Sequence, residues 1–289
     1  MLHFYSFCCL IGKNPEEQLL TSLNFLLKSL DHFVKDYELI LYTNFDVNIN
    51  NSKLKIRNYY DNTKQKLYSD NMDCGYTGKW LNLSYNKINI YKDLRDETGI
   101  DYIWIDLDTI IRYDISYLSQ VDNFFVVHGG NCIHKTHWII QDHFSVPENA
   151  HIQGAIFKLN LNLYNNLMAL VNELKLKKLR LCYDLQSLFA YYFYVKLNNK
   201  LTENGINVYG LNYQTNTING LGVWCESEHV SMHAHIGGLD NFYLDNGILK
   251  TRYYPDKDIH FVMFTFNSFY ESNIVNSEKF KEIFGFLYN

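Results

Sequence analysis

The sequence predicts an α/β protein: a mixed, mostly parallel sheet flanked by helices, followed by a more irregular C-terminal region. Three observations carry this expectation. Strand-like apolar runs alternate with stretches of helical periodicity through the first two thirds of the chain. Several of those runs are apolar throughout, as in strands buried on both faces. The last third changes to short runs, glycine pairs and many asparagines.

Leu2 to Ile11 reads as a buried strand closed by Gly12. Asn14-Pro15-Glu16-Glu17 then offers an N-cap, a proline at the first helical position and a glutamate behind it. Leu19, Leu23, Leu26, Leu27 and Leu30 continue that helix. Glu38–Thr43 and Leu54–Tyr60 are the second and third strands. From Gly78 a helix carries Trp80, Leu83, Lys87, Tyr91 and Leu94 and stops at Gly99. Asp101–Ile111 is the strongest strand pattern of all, and Asn123–His128 and Ile152–Leu159 follow. Leu163, Leu167, Leu170, Val171 and Leu174 mark a helix that ends in the basic cluster 175–180, and another runs from Asp184 to about Leu197. Short strands are expected at 207–211, 222–225 and 260–266. Glu278–Leu287 is an amphipathic helix that either docks on the core or rests as a foot on a membrane surface. No repeat and no break in composition appears, so residues 1–289 are expected to form a single domain, about 1–130 as one half and about 131–289 as the other.

The chain of 289 residues is 47% hydrophobic and 20% charged, which excludes a disordered tail protein. A net charge of -5 argues against nucleic-acid binding, which needs surplus Lys and Arg to displace counterions. The 24 Tyr and 19 Phe suit flat, hydroxyl-bearing ligands, or reflect a codon bias. Six cysteines (Cys8, Cys9, Cys74, Cys132, Cys182, Cys225) include no C-x-x-C pair, so reduced thiols are expected. The apolar start lacks a positive leader, and no run approaches a membrane span. The expected location is the cytoplasm or the inner face of the membrane.

The most informative segment is Tyr102-Ile103-Trp104-Ile105-Asp106-Leu107-Asp108-Thr109. An apolar strand ends in two carboxylates spaced i and i+2, which share one side of an extended chain. Ligands of open α/β sheets bind at such strand ends. Two neighbouring anions at an apolar rim repel each other, and a divalent cation removes that cost. Oxygen ligands favour Mg2+ or Mn2+, which usually also hold a phosphate. The alternative is a polar pair that closes the strand and caps a turn.

D-x-D-x-T after a strand also resembles the haloacid-dehalogenase-like phosphatases, with Thr109 in place. Thr265, at the end of the run 261–264, would be their later Ser/Thr, but no acidic pair follows it, and their nucleophile strand normally comes earlier.

Over about residues 2–240 the sequence resembles the GT-A nucleotide-sugar glycosyltransferases. Gly78-Lys79-Trp80, Lys87, Tyr91 and Asp106-Leu107-Asp108 are similar to the G-K-W…K…(Y/F)…DLD block of bacterial polysaccharide and lipooligosaccharide transferases. The resemblance implies a GT-A (Rossmann-like) fold with the D-x-D after the fourth strand. It implies a nucleoside-diphosphate sugar donor, UDP-linked in most such families, and Mn2+ or Mg2+ as cofactor. The partner it implies is a glycan or glycolipid acceptor, with peripheral membrane contact if that acceptor is lipid-linked.

Residue by residue, the resemblance assigns Asp108 to the metal and Asp106 to the ribose or the metal, with Leu107 between them at the nucleotide. Gly154 fits the element that approaches donor and acceptor, where Gln153 would supply an amide in place of the usual Asn. Asp184, opening a helix, would be the general base of an inverting enzyme, or simply an N-cap. His235 and Gly238 match the H-x-x-G-x-x-K of the retaining branch, with Asn241 where the Lys would stand. His235 would then be the third metal ligand, although His233 can take that place. Lys79 would add a cation near the phosphates. Phe7 or Tyr5 would stack on the base, with Thr43, Asn44 and Asp46 at the ribose or base edge. Trp224, Tyr243, Tyr253 and Tyr254 offer faces to acceptor sugars. A third class, an inactive sugar-binding protein on the same fold, keeps these features without turnover.

Overall fold

The structure is a computed structural model that describes residues 1–11, 15–60, 78–127, 152–176, 185–198, 200–209, 229–234, 239–252, 255–256, 258–264 and 274–288. In chain order the elements are β1 (Leu2–Cys8), α1 (Glu16–Phe33), β2 (Tyr37–Thr43), β3 (Leu54–Asn58), α2 (Gly78–Thr98), β4 (Ile103–Ile105), β5 (Thr109–Ile111), β6 (Phe124–Val127), β7 (Ile152–Lys158), α3 (Leu161–Leu176), α4 (Leu185–Tyr191), β8 (Asn207–Tyr209), β9 (His229–Ala234), β10 (Phe242–Asp245), β11 (Ile248–Thr251), β12 (Asp258–Phe264) and α5 (Glu278–Phe284).

Seven strands form the main sheet in the order β3-β2-β1-β4-β7-β6-β8. All neighbours run parallel except β7, which is antiparallel to both β4 and β6. This is the mixed, mostly parallel α/β sheet that the alternation of apolar runs and helices predicts. Successive side chains point to opposite faces, so each buried strand feeds two cores. Phe4, Leu39, Leu41, Ile103 and Ile105 meet Leu19, Leu23, Leu26 and Leu30 of α1 on one face. Tyr5, Phe7, Ile40, Tyr42 and Trp104 meet Tyr85, Ile88, Tyr91 and Leu94 of α2, with α3 and α4, on the other. Each such side chain contributes ~1.5–3 kcal/mol on burial.

The strand order turns back between β1 and β4. β2 and β3 extend from one side of β1, while β4, β7, β6 and β8 extend from the other. The crevice that such a reversal opens at the carboxyl ends of β1 and β4 is where ligands of this architecture bind.

A second sheet, β5-β12-β9, has β5 antiparallel and β9 parallel to β12. The continuous strand expected over 101–111 is therefore two strands in two sheets, broken at residues 106–108. No glycine or proline marks that break.

β10 and β11 form an antiparallel hairpin through Asn246-Gly247, both at positive φ (51° and 82°). That backbone matches the twist of a two-residue hairpin, and Asn-Gly is its usual sequence. At the other end of the chain, Pro15 takes the N-cap of α1 in extended conformation rather than its first helical position. The helix expected over 184–197 starts as α4 and widens into a π-helical turn at Tyr192–Lys196.

Ser277 caps α5 by accepting from the Phe280 amide at 3.1 Å. Phe280, Ile283, Phe284 and Leu287 are buried together with Phe25 of α1. The apolar face of the tail is thus spent on the core, in favour of docking over a membrane foot. Among the described residues, no helix is long and apolar enough to cross a membrane. The Cys8 and Cys9 thiols are free and buried, and desolvation pushes both up to about 12.

Candidate functional site

The carboxyl end of β4 is built by a turn. The Asp106 amide donates to Ala155 O of β7 at 2.8 Å, the last rung of the main sheet. The Thr109 amide then donates to Asp106 O at 3.2 Å, closing a turn over Leu107 and Asp108 before β5 enters the second sheet. Leu107 is 4% exposed and sits in the α1-side core. It pins the turn from below, and the flanking aspartates are left half-buried at the rim. The two carboxylates therefore come together through this turn, and not through the extended i, i+2 alternation expected from the sequence.

Asp106 is held on one oxygen. Lys87 Nζ and Trp104 Nε1 both donate to Oδ1, at 2.8 and 2.9 Å. Trp104 lies two residues earlier on the same face of the chain, which puts its indole N–H in reach. Lys87 Nζ also donates to Gly154 O at 3.1 Å and lies 4.5 Å from the centre of the Trp104 ring. The carbonyl of Lys87 accepts from the Tyr5 hydroxyl at 2.9 Å, which anchors α2 to β1 at this level. Burial raises the Asp106 carboxyl above the usual carboxylate range, while the Lys87 charge pulls it down.

Asp108 differs. Burial first, and then the neighbouring Asp106 charge, push its carboxyl well above the usual value. Lys87 and the Asp108 backbone N–H oppose this without cancelling it. Among the described residues, two acids here share one lysine. A carboxylate that is desolvated and repelled is a site where a divalent cation gains most, so the residues present fit such an ion. Among the described residues, no group of three or more His, Cys, Asp or Glu side chains that could hold a metal is assembled.

The second sheet adds a placement. Thr109 of β5 pairs with Met263 of β12, and Met263 pairs with His233 of β9. Two strand spacings, ~10 Å, thus separate the backbones of Thr109 and His233. The carboxyl end of β9 is level with the start of β5, immediately after Asp108.

The other expected site residues separate into three groups. Phe7 and Tyr5 are core rings. Phe7 is 7% exposed and is met edge-on by Tyr42, Tyr59 and Trp104, while Tyr5 is fully buried and bonded to Lys87 O. Neither presents a face to a base, which corrects the stacking role expected of them. Thr43 and Asn44 are occupied in the loop. The Thr43 hydroxyl donates to Phe45 O at 2.9 Å and accepts from its amide, and the Asn44 amide group spans Leu10 N and O. Asp46 is exposed.

Lys79 and Gln153 lie in α2 and β7, within the described backbone, and Gly154 is buried at Lys87. Tyr243 is half-buried in β10. Asp184, His235, Gly238, Trp224, Tyr253 and Tyr254 lie outside the described residues, as does Thr265.

The sequence pattern placed Lys87 on the helix but not at the carboxylates, and it missed Trp104. An indole two residues before an aspartate on one strand face was the available signal.

No family model matches the chain, and no curated protein matches it. Many solved structures show partial likeness, two of which are as follows. The apo form of mouse xyloside xylosyltransferase 1 aligns with a TM-score of 0.48 at 14% identity, over 72% of this chain and 85% of that one. The apo WbbM bifunctional glycosyltransferase aligns with a TM-score of 0.47 at 11% identity, over 77% of this chain and 43% of that one.

Proposed function

We propose that the chain is a metal-dependent glycosyltransferase that moves a sugar from a nucleoside-diphosphate sugar, a UDP-hexose, to a glycan or lipid-linked saccharide acceptor. The observation that carries this reading is the excess of acid over cation, among the described residues, at the carboxyl ends of β1 and β4, where the sheet order reverses. The G-K-W…K…DLD block supports it, because Lys87 and the D-x-D meet at that point.

In this reading Asp108 holds Mn2+ or Mg2+, Asp106 addresses the ribose or the metal, and His235 is the third ligand. When bound, the cation supplies Lewis-acid stabilisation of the diphosphate as it leaves. Lys79 adds positive charge near the same phosphates. Asp184, as base, would take the acceptor hydroxyl proton in an inverting transfer. His235 with the D-x-D instead matches the retaining branch. The irregular C-terminal region would bind the acceptor, a bacterial surface glycan or its lipid-linked precursor at the inner face of the membrane.

The phosphatase reading finds less support. Thr265 follows β12, which belongs to the second sheet and does not neighbour β4. Asp106 Oδ1, held by two donors, is also a poor nucleophile.

The test is nucleotide release from a panel of nucleoside-diphosphate sugars with Mn2+, using Asp108→Asn as control. Metal-dependent release of UDP that the substitution abolishes supports the transferase. Release of phosphate from a generic ester through a phosphoaspartate at Asp106 supports the phosphatase. UDP binding with no turnover of any donor supports the inactive sugar-binding protein.

A further inference from the structure

We infer that Lys87 and Trp104 act as a built-in counter-ion for Asp106, so that Asp108 alone carries the net charge that attracts a cation. The inference rests on the reading that this site binds a divalent metal. Lys87 and Trp104 both donate to the same oxygen, Asp106 Oδ1. The Lys87 ammonium is itself seated, with Gly154 O at 3.1 Å and the Trp104 ring centre at 4.5 Å. At 14% side-chain exposure for Lys87 and 29% for Asp106, solvent screens the pair only in part. One indole thus serves twice: its N–H orients the acid and its face holds the base. Lys87 and Trp104 are positioning residues, since each acts through Asp106.

Among the described residues, the site carries one net negative charge. Removing the lysine charge makes it two. A residue that merely supported the fold would weaken metal binding when lost, whereas a counter-ion strengthens it.

The experiment is calorimetric titration of the full chain with Mn2+ alone. Lys87→Met is expected to bind Mn2+ roughly tenfold more tightly than the wild type. Trp104→Phe, which keeps the ring face and removes the N–H, falls between the two. Should Lys87→Met fail to fold, Lys87→Gln removes the charge and keeps a donor for Asp106 Oδ1 and Gly154 O. That variant is likewise expected to bind Mn2+ roughly tenfold more tightly than the wild type. A folded Lys87→Met or Lys87→Gln that binds Mn2+ no better than the wild type overturns the inference and leaves the metal site standing. Trp104→Phe at wild-type affinity removes the indole N–H from the account. Wild-type protein that takes up no Mn2+ overturns the metal reading itself.

Discussion

Both ends of β4 carry aspartate, and they are treated in opposite ways. At the amino end Asp101 accepts from the Tyr91 hydroxyl at 2.7 Å and lies 2.9 Å from Arg95 Nε, both from α2. One acid has a cation and a neutral donor there. At the carboxyl end, among the described residues, two acids share Lys87, and Asp108 is left with its own backbone N–H. The same helix supplies the partners at both ends, so the shortage at the carboxyl end does not reflect a lack of elements to pair with. A carboxylate that serves the fold is given its partners, and one left short of them at a ligand-binding edge is kept for something that arrives from outside.

The strongest way to break this contrast is Asp108→Asn. The variant is expected to lose Mn2+ affinity by about a hundredfold or more. The same change should stabilise the metal-free fold, raising Tm by ~2–4 °C, because it removes a desolvated, repelled charge. Isothermal titration and thermal melts read the two effects, and a destabilised metal-free variant would contradict the contrast.

Asp101→Ala is the mirror test. It leaves the Tyr91 hydroxyl and Arg95 without their acceptor and should cost ~1–3 kcal/mol. Denaturant unfolding measures that loss. Mn2+ affinity is expected to stay within about twofold of the wild type, and a larger change would join the two ends into one functional unit.

The smallest effect is on pH dependence. The native Asp108 carboxyl is raised, so the folded state binds the proton more readily than the unfolded chain does. Its unfavourable contribution is therefore present at neutral pH and is relieved as pH falls through the native value. Melts of the metal-free protein at successively lower pH should show a gain in stability, relative to the trend of the other carboxylates, that Asp108→Asn lacks. Equal slopes in the two proteins would place the raised carboxyl elsewhere.

The sequence made much of the main sheet legible. Leu2–Cys8, Tyr37–Thr43, Leu54–Asn58 and the helix Gly78–Thr98 appear within a few residues of their expected bounds, because their apolar patterns are local and strong. The carboxylate pair was legible for the same reason.

What was not legible depends on pairings distant in sequence. Thr109 meets Met263, and Met263 meets His233, so nothing near residue 109 announces that the chain changes sheets there. Apolar residues on both sides of 106–108 read as one strand because each half is buried, although in different sheets. The glycosyltransferase resemblance sets Phe7 against a base, yet neighbours from β2, β4 and the segment after β3 close over it. The hairpin at Asn246-Gly247 is a plainer miss, since that dipeptide is a strong turn signal on its own.

The central claim is that an externally supplied cation completes the carboxyl end of β4 and there meets a nucleoside diphosphate. Calorimetric titration of the wild-type chain with UDP, in the presence of Mn2+ and again with EDTA, tests it most directly. Binding that requires Mn2+ is the predicted result. UDP binding of equal strength under both conditions, or no binding under either, would contradict it.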